Sequence, residues 1–372
     1  MTERSNSLVT QDASTTRVWS SIDIWHDGKY SDCFRVPNST NTSAYGWIPI
    51  PFVSIKNGKG PCALLVAGNH GDEYEGQIAL RQLANSINKD DVIGHILILP
   101  ALNFAAVVAG QRTSPLDDGN LNRLFPGRAN GTITEMIAHF VAADLLPHAD
   151  FVIDLHSGGR SLEFLPCALA KWPEHHSEVH LKSLDLLEAF GAPISYLTSG
   201  KGGGGQTTLA ATADMLGVPA IMTELGGGER LSTSGLELAK NGVLRILQSQ
   251  GLLSGDCPPA AQTRFMHVIG RQDYVYAHSN GLFEPVVELG TSVNAGDKAA
   301  FIYSHEDLEA EPRVVYFESS GVVVCQRAQT RTEVGDCLFH LLSDTEDPRK
   351  KQFKRVSDER PLRKDGTLNW NI

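Results

Sequence analysis

Between residues 60 and 250, short wholly apolar runs alternate with stretches whose apolar positions recur every three or four residues. The first run, Cys62-Ala63-Leu64-Leu65-Val66-Ala67, is bounded by Gly60-Pro61 and Gly68 and has the length of a buried strand. Residues 74–87 carry Ile78, Leu80, Leu83, Ala84 and Ile87 at helical spacing. His95-Ile96-Leu97-Ile98-Leu99-Pro100 is again apolar almost throughout, as a strand covered on both faces is. Strand, helix, strand in this order is a βαβ unit, and the pattern continues: a helix over 133–146, a strand over 151–155, a helix over 181–190, a strand over 194–197, a helix over 207–216, a strand over 218–223 and a last helix over 236–247. Such alternation predicts an α/β fold with a largely parallel sheet flanked by helices, occupying residues 60–255.

The flanks have another texture. Residues 1–59 read as a strand-rich leading segment packed on this unit, with strands at 19–25 and 47–53 that Pro49 and Pro51 mark as edge strands. A linker at 251–261 contains Pro258-Pro259. Beyond it, residues 262–345 break into short alternating runs with Gly-Asp turns, which predicts a small all-β domain with internal pseudo-symmetry. Residues 346–372 form a charged tail, expected to be poorly ordered in part.

A chain of 372 residues is long enough for two cores, and 41% hydrophobic with 20% charged residues describes an ordinary globular protein. The net charge of -11 argues against a general nucleic-acid or anionic-membrane binder and leaves a small molecule as the default ligand. The polar start lacks the apolar core of a secretory signal and no apolar run reaches the length of a membrane span, so a cytoplasmic protein is expected. Six scattered cysteines with no Cys-x-x-Cys pair suggest neither disulfides nor a cysteine-rich metal site.

Candidate chemistry starts at Gly68-Asn69-His70-Gly71-Asp72-Glu73-Tyr74-Glu75-Gly76. His70 and Glu73, three residues apart, point the same way on a tight turn, and an imidazole with a carboxylate is two-thirds of a hydrolytic zinc site. Among thirteen histidines such a pair arises about once by chance, and His175-His176-Ser177-Glu178 is a second copy. The strand pattern arbitrates, because ligands bind outside the carboxyl ends of strands in open α/β sheets. His70 and Glu73 follow one strand, His156 follows 151–155 and Glu224 follows 218–223, which places all four on one edge. A core histidine and a salt-bridged or capping carboxylate are the bland alternatives for His156 and Glu224. His175, His176 and His180 fit a solvated helix start better. The polar loop from Arg112 to Gly127 holds Arg112, Asn122 and Arg123, and two arginines suit anion recognition. Gly200-Lys201-Gly202-Gly203-Gly204-Gly205-Gln206 lacks the ending of a P-loop and reads as a mobile loop near the site.

Taken together, His70-x-x-Glu73, His156 after a strand, Arg112 before Asn122-Arg123, and Glu224 in a Glu-Leu-Gly context resemble the succinylglutamate desuccinylase/aspartoacylase branch of the zinc carboxypeptidase superfamily over residues 60–345. The stretches 68–76 and 120–127 are similar to the members of that branch that deacetylate N-α-acetyl-L-2,4-diaminobutyrate in ectoine breakdown. The resemblance implies one zinc ion per chain on His70, Glu73 and His156, Glu224 as general base and then acid, Arg112 at the developing oxyanion, and Arg123 with Asn122 on the substrate carboxylate. The expected reaction is hydrolysis of an N-acyl amino acid by an enzyme free to form a homo-oligomer. The stretch between Arg112 and Asn122 is longer than in aspartoacylase itself, which implies a different substrate pocket. Asp117 and Asp118 are candidate partners for a substrate ammonium. The rival readings are a desuccinylase or aspartoacylase with another substrate, and a non-catalytic zinc- or ligand-binding protein. The turns Val293-Asn294-Ala295-Gly296-Asp297 and Val334-Gly335-Asp336 resemble the lipoyl/biotinyl barrel-sandwich family, but Glu318-Ser319-Ser320-Gly321 stands where a carrier lysine belongs, which implies a barrel without carrier function.

Overall fold

The structure is a computed structural model that describes residues 16–172, 177–198, 205–255 and 257–350. Its strands are β1 (Gly28–Pro37), β2 (Trp47–Asn57), β3 (Cys62–Ala67), β4 (Gly94–Leu99), β5 (Phe151–Leu155), β6 (Leu162–Phe164), β7 (Cys167–Lys171), β8 (Ile194–Thr198), β9 (Ala220–Glu224), β10 (Arg264–His267), β11 (Tyr274–Tyr276), β12 (Gly281–Pro285), β13 (Ser292–Val293), β14 (Lys298–Tyr303), β15 (Arg313–Tyr316), β16 (Gly321–Arg327), β17 (Arg331–Thr332) and β18 (Cys337–Asp344). The α-helices are α1 (Tyr74–Ser86), α2 (Phe104–Ala109), α3 (Ile133–Phe140), α4 (Glu178–Phe190), α5 (Leu209–Met215) and α6 (Thr233–Ser249).

One mixed sheet runs β1-β2-β4-β3-β5-β9-β7-β8-β10-β18-β16-β13. Its centre, β4-β3-β5-β9, is parallel, as the βαβ pattern requires. β7 then pairs antiparallel with β9 and parallel with β8, so β7 and β8 point the other way and their carboxyl ends lie on the opposite edge. β3, β4 and β5 are buried almost end to end. One face packs on α1, α4 and α6 through Leu80, Leu83, Leu187, Phe190, Val243 and Ile246. The other is covered by α3, α5 and the leading segment through Val18, Ile24, Phe34, Ile137, Leu209 and Ala213. Each such buried Val, Leu, Ile or Phe side chain contributes roughly 1.5–3 kcal/mol of transfer free energy.

The C-terminal strands extend this sheet rather than standing apart from it. β10 pairs parallel with β8 and antiparallel with β18, and Leu169, Tyr196, Met266, Val324 and Leu342 share one core across the junction. A second sheet, β15-β14-β12-β17, closes over β16 and β18 around Phe283, Ile302, Phe317 and Phe339. At the turn where a carrier lysine would stand, Ser319 Oγ donates to Asp273 Oδ1 at 2.7 Å, which ties the turn to the body of the unit.

Several expectations need correction. No strand forms over 19–25, where only Trp19 bridges Arg35; Val18 and Ile24 are instead buried plugs on the sheet face. The strand is β1, whose polar outer positions hid its buried Phe34 and Val36. β2 is not an edge strand, yet its prolines obey the rule behind that expectation, because β4 pairs only Val53 to Asn57 and leaves Pro49 and Pro51 with β1 alone. α2 and β7, short and rich in alanine, carried too little periodic signal to be read. The helix expected over 133–146 is α3 followed by a π-turn at Val141–Leu145. No described helix is long and apolar enough to cross a membrane. Residues 351–372 of the tail and 200–204 of the glycine loop lie outside the described residues.

Candidate active site

At the end of β3 the chain turns through Gly68, whose φ of +72 suits glycine, and descends into α1. Gly71 packs so closely on α2 that an added Cβ would sit 1.9 Å from the Ala106 carbonyl oxygen. Glu73 holds the N-cap position of α1 in extended backbone, but its carboxylate makes no capping bond. It faces two imidazoles instead. Glu73 Oε1 lies 2.6 Å from His70 Nδ1, and Oε2 lies 2.8 Å from His156 Nδ1 and accepts the Ser157 N–H at 3.2 Å.

His156 is held at the exit of β5 by Thr223 of β9. The His156 N–H donates to Thr223 Oγ1 at 3.0 Å, and the same hydroxyl donates back to the His156 carbonyl at 3.1 Å. The far ring nitrogens are also held: His156 Nε2 is 2.9 Å from Asp154 Oδ2, and His70 Nε2 is 3.0 Å from Asn120 Oδ1. Both partners are acceptors, so each Nε2 can donate its proton there, which would leave each Nδ1 free to act as a ligand when a metal ion is bound. Both Nδ1 atoms and both carboxylate oxygens of Glu73 therefore converge, each nitrogen 2.6–2.8 Å from one oxygen. The three side chains are buried and offer donor atoms within 4.8 Å of one another, and two imidazoles with one carboxylate match the donor chemistry of hydrolytic zinc sites. Without an ion, burial would raise Glu73, but the two imidazoles overturn this and hold its carboxyl far below the usual carboxylate range. Burial would likewise lower His156, while Asp154 and Glu73 raise it well above the usual imidazole value.

Glu224, the last residue of β9, lines the same cavity. Burial, with the nearby Glu73 charge, pushes its carboxyl up to about 8 against the pull of His156 and Arg112, and its Oε2 is buried without a hydrogen-bond partner among the described residues. Arg112 reaches to 3.5 Å from Glu73 Oε1. Arg123 donates to the Asn122 carbonyl at 2.7 Å and makes no ion pair among the described residues; burial and the neighbouring Arg112 lower its pKa. Asn122 is buried, accepts the Leu209 N–H at the start of α5 at 2.9 Å and sits 3.2 Å from His156 Nε2, so it braces the site as well as lining it.

His70, Glu73, Arg112, Asn122, Arg123, His156 and Glu224 thus line one cavity of about 310 Å³. Other sequence expectations end elsewhere. Asp117 accepts from Thr134 N and Oγ1, both at 2.7 Å, and neither it nor Asp118 reaches the cavity, so they are not partners for a substrate ammonium there. Asp117 is spent on the start of α3. His180 is not at a solvated helix start: it is buried, 2.9 Å from Asp214 Oδ1 at the far end of the cavity. His175 and His176 lie outside the described residues. Sequence reading missed Asp154 and Asn120. Asp154 was legible, because a strand puts residues 154 and 156 on one face.

The model of the succinylglutamate desuccinylase/aspartoacylase catalytic domain matches residues 59–250. The N-alpha-acetyl-L-2,4-diaminobutyric acid deacetylase of Halomonas elongata is 35% identical over 318 residues, covering 85% of this chain and 92% of that protein. The product-bound structure of the ectoine utilization protein EutE (DoeB) from Ruegeria pomeroyi is 35% identical with a TM-score of 0.84 over 88% of this chain and 99% of that one. A succinylglutamate desuccinylase/aspartoacylase structure from Rhodobacter sphaeroides is 34% identical with a TM-score of 0.83 over 89% of this chain and 100% of that one.

Proposed function

The chain belongs to the succinylglutamate desuccinylase/aspartoacylase family, and on that premise we propose that this amidohydrolase is a zinc-dependent deacetylase converting N-α-acetyl-L-2,4-diaminobutyrate to L-2,4-diaminobutyrate and acetate in ectoine breakdown, in the cytoplasm. The observation that carries the reading is the buried His70–Glu73–His156 cluster facing Glu224 and two arginines in one cavity, in a chain 35% identical over 85% of its length to a protein of that activity.

His70, Glu73 and His156 would hold the zinc ion, which when bound supplies Lewis acidity toward the amide carbonyl and the attacking water. Glu224 removes one proton from that water as its oxygen adds to the carbonyl carbon. It then delivers the proton to the nitrogen as the C–N bond breaks, leaving acetate and a free amine. Burial raises its carboxyl above the usual carboxylate range, toward the pH at which it must both take up and release a proton, and the charge of a bound ion would favour its ionised form. Arg112, beside Glu73, faces the negative charge that develops on the former carbonyl oxygen, where loss of one donor costs about 10²–10³ in rate. Arg123, without a carboxylate partner among the described residues, presents a guanidinium fork to the substrate carboxylate.

Metal analysis of purified protein, with turnover measured on N-α-acetyl-diaminobutyrate, N-acetylaspartate and N-succinylglutamate, tests the reading. One zinc per chain and a clear preference for the first substrate are expected. Preference for either of the others would overturn the substrate, and absence of turnover on all three would overturn the enzyme assignment.

A further inference from the structure

Beyond Glu224 the cavity has a second wall that the hydrolytic machinery does not use. Cys167 of β7 stands opposite Glu224, and Leu169 stands opposite both Met222 of β9 and Tyr196 of β8. Tyr196 is therefore two residues along and two strands across from Glu224 on the same face, roughly 12 Å between backbones at ordinary sheet spacings. The C-terminal unit completes the wall. Tyr274 of β11 pairs with His340 of β18, and their rings stack at 4.1 Å with an interplanar angle of 6°. Tyr196 lies 5.4 Å from the His340 ring and its hydroxyl 3.4 Å from that of Tyr274. All three residues line the cavity, and His340 Nε2 has no hydrogen-bond partner among the described residues.

Building on the diaminobutyrate reading, we propose that Tyr196, Tyr274 and His340 form the subsite for the substrate's free side-chain ammonium, so that the C-terminal β unit determines amine selectivity. His340 Nε2 is left without a partner among the described residues, and the two hydroxyls meet only at 3.4 Å, so a pocket for an apolar group would leave this polar cluster poorly satisfied, and unpaired buried polar atoms are costly. An ammonium offers three donors to these acceptors and is attracted to ring faces. The sign of charge follows from the surroundings. Among the described residues these three side chains have no lysine or arginine between them, and the buried Asp273 carboxylate behind them, itself held by Ser319 and the Ile269 and Gly270 N–H groups, adds negative charge near Tyr274. Burial pushes His340 down to about 4 and leaves it a neutral ring, unsuited to holding an anion. The other carboxylates of the cavity are committed: Glu73 to the two imidazoles, Glu224 to proton transfer, and Asp214 to Lys171 at 2.6 Å and His180 at 2.9 Å.

The test compares N-α-acetyl-diaminobutyrate with N-acetyl-2-aminobutyrate, which has the same carbon chain without the amine, in wild type, Tyr274→Phe and Tyr196→Phe. Wild type should prefer the amine substrate; if it prefers the aminobutyrate, the diaminobutyrate reading itself fails and the subsite with it. If wild type is selective, each Phe variant should lower the ratio of the two kcat/KM values roughly tenfold or more through a raised KM for the amine substrate, with a melting temperature that shows the fold intact. A selective wild type whose Phe variants keep the same ratio, or lose both substrates in parallel, would overturn the subsite while leaving the deacetylase reading in place.

Discussion

Ser, Thr, Asp or Asn at a helix N-cap would bond the first free N–H groups of the helix; Glu73 stands there instead, makes no such bond, and turns its carboxylate to two imidazoles, three and eighty-three residues away, that converge on it. The same logic of uncompensated charge singles out Glu224 and Arg123. Glu224→Gln keeps the shape of the side chain but cannot accept a proton, so turnover should fall by about 10²–10⁴ while the zinc content stays unchanged. Substantial residual turnover would remove Glu224 from proton transfer. Arg123→Ala deletes a contact shared by ground and transition states, so KM should rise about 10–100-fold with kcat nearly constant. A fall in kcat alone would show that Arg123 acts on the reacting atoms instead. The His70, Glu73, His156, Glu224 set was readable from one sequence because each member sits at the end of a recognisable apolar run. Asn120 was not, because its partnership with His70 spans fifty residues of irregular loop.

At the scale of elements, the site depends on how β3 hands over to α1. Gly71 lets the turn bearing His70 lie against α2, where its N–H donates to the Gln111 carbonyl at 2.8 Å. Gly71→Ala drives a methyl group into the Ala106 carbonyl, and overpacking of this kind costs about 1–3 kcal/mol. Denaturant unfolding should show that loss together with lowered zinc occupancy. A variant of wild-type stability with full metal content would mean that α2 yields without disturbing the turn. The strands that supply the site were legible because a buried parallel strand is a continuous apolar run. The reversal of β7 and β8 was not, since direction leaves no mark in the apolar pattern of a single strand. That reversal matters to function, because it draws the cavity along the sheet face toward Tyr196 and the C-terminal unit.

Across the whole molecule, the leading segment and the C-terminal unit each bury an imidazole against the central sheet. His95 lies beside Ser54 of β2 and His340 beside Tyr274 of β11, and burial pushes both down to about 4 from an ordinary 6.5. The unfolded chain takes up protons at these rings below about 6.5, whereas the folded protein does not until near 4. Their contribution is therefore complete above 6.5 and is lost as pH falls from there toward 4, by up to roughly 3 kcal/mol for each ring. Melting curves from pH 8 to 5 should show the decline, and a flat profile below 6.5 would mean that the rings titrate normally in the fold. Apolar period and turn chemistry act over a few residues, so the sequence by itself determined the α/β class, the βαβ core, the β-rich C-terminal part and the residues of the His70–Glu73–His156 cluster. The tertiary structure alone decided that the C-terminal strands extend the catalytic sheet, that Asp117 is spent on a helix start, and that two tyrosines and a histidine from distant segments meet in the cavity that Glu224 lines. Those outcomes depend on which chain ends pair and which faces cover one another, and such pairings join residues too far apart in sequence for any local pattern to encode them.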